Sequence, residues 1–234
     1  MAIQRLSLTN LKDLVRFWIG EEIAALSKIP SSNVSGGTTA SLATVINLYG
    51  QQIPSRLALI MREQGYNIQA GQIYPDWLRT SGSMTETEGS SDVTFPSDYA
   101  RYISFYDRTN RRVIWPTEEV SSTHLERLKK RDPGPPEAIE ILGVNSSSVW
   151  TGTLWPPTEG GITPDIELIY WRLPASMADS NPGSEYPDAP PEFHILWAYG
   201  AVLEIMRPDD PAYSRFQDLE RQKLTEMVYA ARML

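Results

Sequence analysis

Hydrophobic positions along the chain recur every three or four residues at first, then every two, then every three or four again. Near the start, Leu11, Leu14, Val15 and Trp18 make one apolar stripe behind Thr9 and Asn10, either of which can cap the free N–H groups of a helix. Gly20 weakens that helix, although residues 23–26 can carry the same face onward. Residues 27–40 contain Pro30, Gly36 and Gly37 and read as a loop. A longer helix follows, with Leu42, Val45, Ile46, Tyr49, Ile53, Leu57, Ile60 and Met61 on its stripe and Gly65 at the position of a left-handed C-terminal cap. Pro54 falls inside this pattern and is expected to bend or split the helix near Gln52.

Periodicity is then lost. Residues 80–94 are almost all Ser, Thr, Gly and acid, with only Met84 and Val93 to bury, and are expected to stay mobile. From Asp98 the period is two. Residues 99–106 and 112–115 read as strands joined by turn chemistry at 107–110. A short helix within residues 117–130 should start near Ser121 or Ser122, carry Leu125 and Leu128 on one side, and end before Pro133. Three more strands are expected at 138–142, 149–154 and 166–173. On the last of them Ile166, Leu168 and Tyr170 share a face and Ile169 and Trp171 occupy the other, the pattern of a covered central strand.

Five prolines in residues 174–191 imply a long extended connection. Residues 192–206 are apolar nearly all round, as in a helix buried among helices, and Pro208 stops them. Asp210 and Pro211 suit the cap and first position of a last helix whose apolar stripe runs through Phe216, Leu219 and Leu224 to the final residues. Neither helical end can bury its stripe alone. The fold class expected is therefore α+β: an antiparallel helix bundle from residues 1–75 and 190–234, with an antiparallel β region inserted at 76–189.

Composition narrows the chemistry. The 234 residues contain no cysteine and two histidines, which removes disulfides, thiolate nucleophiles and multi-His metal centres. No apolar run approaches the roughly 17–25 residues that span a bilayer, and the N-terminus lacks the basic end and apolar block of a signal peptide. A net charge of −8 argues against nucleic-acid binding over the whole surface. The charge is uneven, with eight bases against four acids in residues 101–131 and sixteen acids against six bases in 132–234. No Gly-x-Ser-x-Gly turn or phosphate-cradling glycine loop occurs. His194 at the head of an apolar helix reads as structural, and His124 has no partner that would make it a base. The carboxylate pairs Glu118/Glu119, Asp209/Asp210 and Glu86/Glu88 are the remaining candidates for hydrolytic chemistry, and Asp209/Asp210 already has a role as a cap. Neither a catalytic residue, a cofactor nor a metal is assigned.

Several segments, in order, resemble the head-to-tail adaptor (connector) proteins of tailed bacteriophages. They are Thr44-Val-Ile-Asn-Leu-Tyr-Gly-Gln-Gln-Ile53, Phe95-Pro-Ser-Asp-Tyr-Ala-Arg-Tyr-Ile-Ser104, Pro136-Glu-Ala-Ile-Glu-Ile141, Leu154-Trp-Pro-Pro157 and Glu167-Leu-Ile-Tyr-Trp-Arg-Leu-Pro174. The acidic, proline-rich approach to a helix of small and aromatic residues completes the order over roughly residues 40–232, with Phe95 where the family has leucine. The resemblance implies a structural virion protein and not an enzyme. It implies a ring, commonly of twelve copies, that docks under the portal protein, extends the DNA channel without reading its sequence, and offers a platform to a tail or nozzle protein. Free copies would often be monomeric, no membrane is involved, and assembly would take place in the host cytoplasm. It also implies that the C-terminal segment reaches the portal. Leu224, Met227, Val228, Tyr229, Met233 and Leu234 are the candidate contacts. The alternatives are another tail-completion or tail-tube protein, and a carbohydrate-binding or hydrolytic virion protein.

Overall fold

A computed structural model describes residues 5–19, 41–67, 72–86, 91–159 and 164–232. They fall into two compact units, Met1–Trp77 with Pro174–Leu234, and Leu78–Leu173.

The first unit is helical. Helix α1 (Leu8–Ile19) buries Leu8, Leu11, Val15 and Ile19. Its cap is Ser7 and not Thr9 or Asn10: Ser7 Oγ accepts from Asn10 N at 3.3 Å while Asn10 Oδ1 accepts from Ser7 N at 3.1 Å. This is the reciprocal exchange of a capping box, with Asn in the usual place of Glu. The continuation at 23–26 and the loop at 27–40 lie outside the described residues. Helix α2 (Leu42–Glu63) opens on Ser41, whose side chain accepts from Thr44 N, and Gly65 beyond its end takes φ +83°. Pro54 does not split it. Proline removes one N–H from the ladder, but the ring is buried and the Pro54 carbonyl also accepts from Ile73 N at 2.9 Å, so the site is held from outside the helix.

Helix α4 (Ile195–Ile205) crosses α2 at a pair of glycines. A Cβ on Gly50 would lie 2.3 Å from Trp197 Nε1, and one on Gly200 would lie 2.0 Å from the Tyr49 ring. Each helix thus lays an aromatic ring over the other's bare backbone. Helix α5 (Tyr213–Arg232) completes the unit. Asp210 Oδ1 accepts from Ala212 N at 2.8 Å before its first turn, and Phe216, Leu224, Met227 and Val228 join the common core.

Residues 173–190 contain no helix or strand, as the prolines require, yet they are not a free tether. Glu185 and Pro182 give their carbonyls to Leu8 N and Thr9 N, supplying partners for the exposed donors of α1. Asn47 donates to the Met177 carbonyl and accepts from Met177 N, both at 2.9 Å, as a second strand would. Lys12 pairs with Asp179. The expected extended connection is a strap fastened across α1 and α2.

The second unit is one sheet of eight strands: β1 (Arg79–Ser83), β2 (Thr85–Glu86), β3 (Asp92–Thr94), β4 (Tyr99–Asp107), β5 (Arg112–Pro116), β6 (Ala138–Val144), β7 (Trp150–Trp155) and β8 (Ile166–Arg172). Their order is β1-β8-β4-β5-β6-β7-β3-β2. The first and last strands of this order are separated in sequence by Met84 alone, so the sheet curls until its two ends meet. Inside the curl lies a separate core of Met84, Val93, Phe95, Phe105, Ile114, Ile139, Leu154, Ile166 and Leu168 with their neighbours. All pairings are antiparallel except β5 with β6, which is parallel. Parallel neighbours need a crossover, and helix α3 (Ser122–Lys129) with its flanking turns provides it, capped by Ser121 Oγ accepting from His124 N.

The expected fold class, an antiparallel helix bundle with an inserted antiparallel β region, is corrected by this sheet. It is a curled mixed sheet with its own core, not an antiparallel insert subordinate to a bundle. Residues 80–94 account for much of the difference. Within them 80–86 and 92–94 contribute β1, β2 and β3, pairing with β8 and β7 at the two ends of the sheet, Met84 and Val93 are buried, and 87–90 lie outside the described residues. Their polar side chains mislead because an edge strand gains its order from backbone hydrogen bonds and needs few apolar residues.

Candidate functional site

The candidate contacts near the C-terminus lie on or beyond α5. Leu224 (3% exposed), Met227 (0%) and Val228 (3%) are core residues of the helical unit. Tyr229, on the other side of the helix, is 50% exposed. Met233 and Leu234 lie outside the described residues. The buried stripe thus fixes how the helix is rolled, and Tyr229 is the candidate side chain it turns outward.

A buried ionic cluster holds the helix against α2 and α4. Arg56 Nη1 donates to Glu220 Oε1 at 2.6 Å and Arg56 Nη2 to Glu204 Oε1 at 3.2 Å. Tyr49 OH donates to the same Glu220 oxygen at 2.7 Å, and the Arg56 guanidinium lies over the Tyr49 ring, 4.8 Å from its centre. Burial, and then Glu220, push the Tyr49 phenol well above its ordinary range, so it remains a donor at any working pH. Two carboxylates, one guanidinium and one phenol are mutually satisfied here, which suits an anchor and leaves no group poised for proton transfer. At the end of α2, Glu63 receives Arg221 at 2.8 Å. Trp18 packs between Tyr199 and Phe216, with ring centres 5.4 and 5.2 Å away, tying α1 to the same assembly.

Neither histidine is placed for catalysis. His194 is 1% exposed. Its Nε2 donates to the Ala189 carbonyl at 2.9 Å and its Nδ1 accepts from Leu6 N at 3.1 Å, so one ring ties the strap and the chain before α1 to the head of α4. Burial holds its pKa below the usual histidine value. His124 is half-exposed, 3.8 Å from Glu137. Asp210 is not the cap expected of it: α5 begins only at Tyr213, and Asp210 Oδ1 instead closes the preceding turn on Ala212 N. Glu119 hydrogen-bonds the Tyr102 phenol, and the side chains of Glu86 and Glu88 lie outside the described residues. Among the described residues are a cleft of about 320 Å³ bordered by Arg5, Trp77, Tyr186 and His194, and a shallow hollow on the outer face of α3. In neither do acids converge. Among the described residues no group of His, Asp and Glu is arranged to hold a metal, and no helix is long and apolar enough to cross a membrane.

The charge split along the sequence closes in part in the fold, through four of the eight bases of residues 101–131. Arg108 pairs with Glu167 at 2.7 Å, Arg112 and Arg131 share Glu137, and Lys129 reaches Glu140 at 3.7 Å. Lys129 also lies over the Trp155 ring, whose Nε1 donates to Glu140 at 3.0 Å. These bases clamp α3 and the β4–β5 hairpin to neighbouring strands and present no continuous phosphate-binding stripe.

One surface escaped the sequence reading. Tyr106 and Val113 sit directly opposite each other on β4 and β5, and Trp115 follows two residues on; they are 37, 46 and 52% exposed. The alternation Arg112-Val-Ile-Trp115 carries this signal, since Ile114 faces the core and its two neighbours must face out.

In comparison with known proteins, a family model described as the SU10 adaptor protein matches residues 6–233. No curated protein matches the chain.

Proposed function

The chain belongs to the SU10 adaptor protein family, and we propose that this bacteriophage adaptor joins the portal of the DNA-filled head to the tail. The observation that carries the reading is the extent of the family match, which runs through both units from residue 6 to residue 233. Copies assemble as a ring, of twelve by the family resemblance, beneath the portal. The ring extends the DNA channel, and a tail or nozzle protein attaches below. The chain works as a building block of the virion and is assembled in the host cytoplasm.

Physical features support the parts of this reading. Helix α5 is pinned by the Arg56 cluster and its buried stripe, which leaves Tyr229 as a rigidly presented contact for the portal, with Met233 and Leu234 beyond it. A net charge of −8 per copy makes a channel wall that repels DNA phosphates, which favours a duplex that slides over one that sticks.

The test is co-sedimentation of the purified chain with portal rings of the same phage. The full chain is expected to sediment with the portal. A variant lacking Met233 and Leu234 and a Tyr229→Asp variant are expected to remain in the supernatant while unfolding at the same temperature as the parent. Removing residues 224–234 would be a poorer choice, because Leu224, Met227 and Val228 belong to the core. A full chain that never sediments with the portal contradicts the adaptor reading; variants that bind as well as the parent contradict the role of α5.

A further inference from the structure

On the outside of the curled sheet the register places Tyr106 against Val113 and Trp115 beside them, all three exposed. Arginines stand farther along the same sheet and at the turn beside the patch. Arg79 and Arg101 flank Trp171 on either side in the ladders, and Arg111 projects from the β4–β5 turn at φ +56°. No ion pair involves any of the three among the described residues. Aromatic side chains accompanied by arginine are the composition of an interaction hot spot.

The chain itself contains the complementary surface. The strap, residues 174–192, holds Asp179, Glu185, Asp188 and Glu192 and no basic residue, together with five prolines. Proline-rich extended chain docks well on flat aromatic surfaces, because little conformational freedom is lost. The strap is also already fastened by Asn47, Lys12 and the first N–H groups of α1, so it is a preformed ridge and not a loose tail. In a ring each copy offers this ridge to the next, and Trp115 is 52% exposed to receive it.

We propose that the arginine-bearing face of β4 and β5 in one copy packs on the acidic, proline-rich strap of the next. This rests on the adaptor reading and deepens it: two different surfaces meet, so the contact is heterologous, and repeating it generates a ring when the rotation closes. The face supplies apolar area at Tyr106, Val113 and Trp115. The arginines offset the repulsion between two acidic copies.

The experiment uses portal-bound assemblies made from an equal mixture of isotopically heavy and light full-length chains, with a photo-reactive benzophenone amino acid in place of Trp115. Irradiation is expected to yield heavy–light cross-linked pairs joining position 115 to peptides within 174–192. Cross-links confined to one copy, or leading to the portal or to other segments, overturn the proposal. As a second measurement, native mass spectrometry counts copies per portal. Trp115→Asp and Arg101→Glu are expected to leave portals carrying about half the parental number or fewer, as loss of a central anchor does, with unchanged unfolding midpoints. Full rings from both variants overturn the proposal and leave the adaptor reading standing. A parent chain that gathers on no portal overturns both.

Discussion

Single residues decide how closely the helices of the first unit can approach. Because Tyr49 and Trp197 each lie over the other helix's glycine, Gly200→Ala forces a methyl group into the Tyr49 ring at 2.0 Å. Overpacking costs about 1–3 kcal/mol, sometimes more. We expect Gly200→Ala to reach the top of that range, read as a lowered urea midpoint. In the ionic cluster the order of damage is fixed by what is left behind. Arg56→Met strands two carboxylates that are 9% and 7% exposed, and breaking a buried pair costs about 3–5 kcal/mol. Glu220→Gln keeps an acceptor for Tyr49 and leaves Arg56 its Glu204 partner, and should cost about 1–3 kcal/mol. Chemical denaturation that ranked the two in the opposite order would refute this reading of the cluster. His194 adds a pH dependence. Its folded pKa lies below the unfolded value of 6.5, so the unfolded chain takes up the proton first as acid is added. The contribution of His194 is complete above pH 6.5 and is lost as the pH falls toward the folded value. His194→Gln should flatten this part of the stability profile, and an unchanged profile would show that another group causes it.

At the scale of elements, the strap is the part whose order depends most on a few polar contacts. Removing the paired hydrogen bonds between Asn47 and Met177 with Asn47→Ala is expected to expose residues 174–190 to protease while α2 stays folded, as limited proteolysis with mass mapping would record. Cleavage elsewhere first would mean that the strap is held by other means. The long periodic stretches were legible from sequence. Leu42 to Glu63 with Gly65 as its stop, the β4–β5 hairpin around Asp107 and Asn110, and the alternation Ile166-Leu168-Tyr170 stand as their patterns imply, except that Pro54 does not split the helix. What sequence could not supply came from partners distant in the chain. Residues 79–83 and 92–94 have no periodic apolar signal because β8 and β7 order them through the backbone. The strap looked like a tether because its fastenings are main-chain carbonyls and one asparagine. The parallel β5–β6 pair turns an expected antiparallel region into a curled mixed sheet, and nothing local in either strand announces it. The contact surface at Trp115 was legible in principle, from alternation alone.

For the whole molecule, charge read along the sequence overstates charge in space, since four of the eight bases in 101–131 are answered by Glu137, Glu140 and Glu167. These pairs are half exposed, and each is worth little alone. Raising salt from about 0.05 to 0.5 M should therefore hardly move the unfolding midpoint, yet it should favour gathering of acidic copies by shortening the range of their repulsion. Light scattering across the salt series, on chain mixed with portal, follows both effects; a midpoint that collapses in salt would give the surface ion pairs a larger role than described. The account as a whole makes the chain an adaptor with a pinned last helix in one unit and an outward aromatic face on the other. Cryo-electron microscopy of the head–tail junction in the intact phage tests that most directly. The account requires a ring of these chains directly beneath the portal, with the end of the last helix against it. Density in which the portal meets the tail with no such ring between them would contradict it.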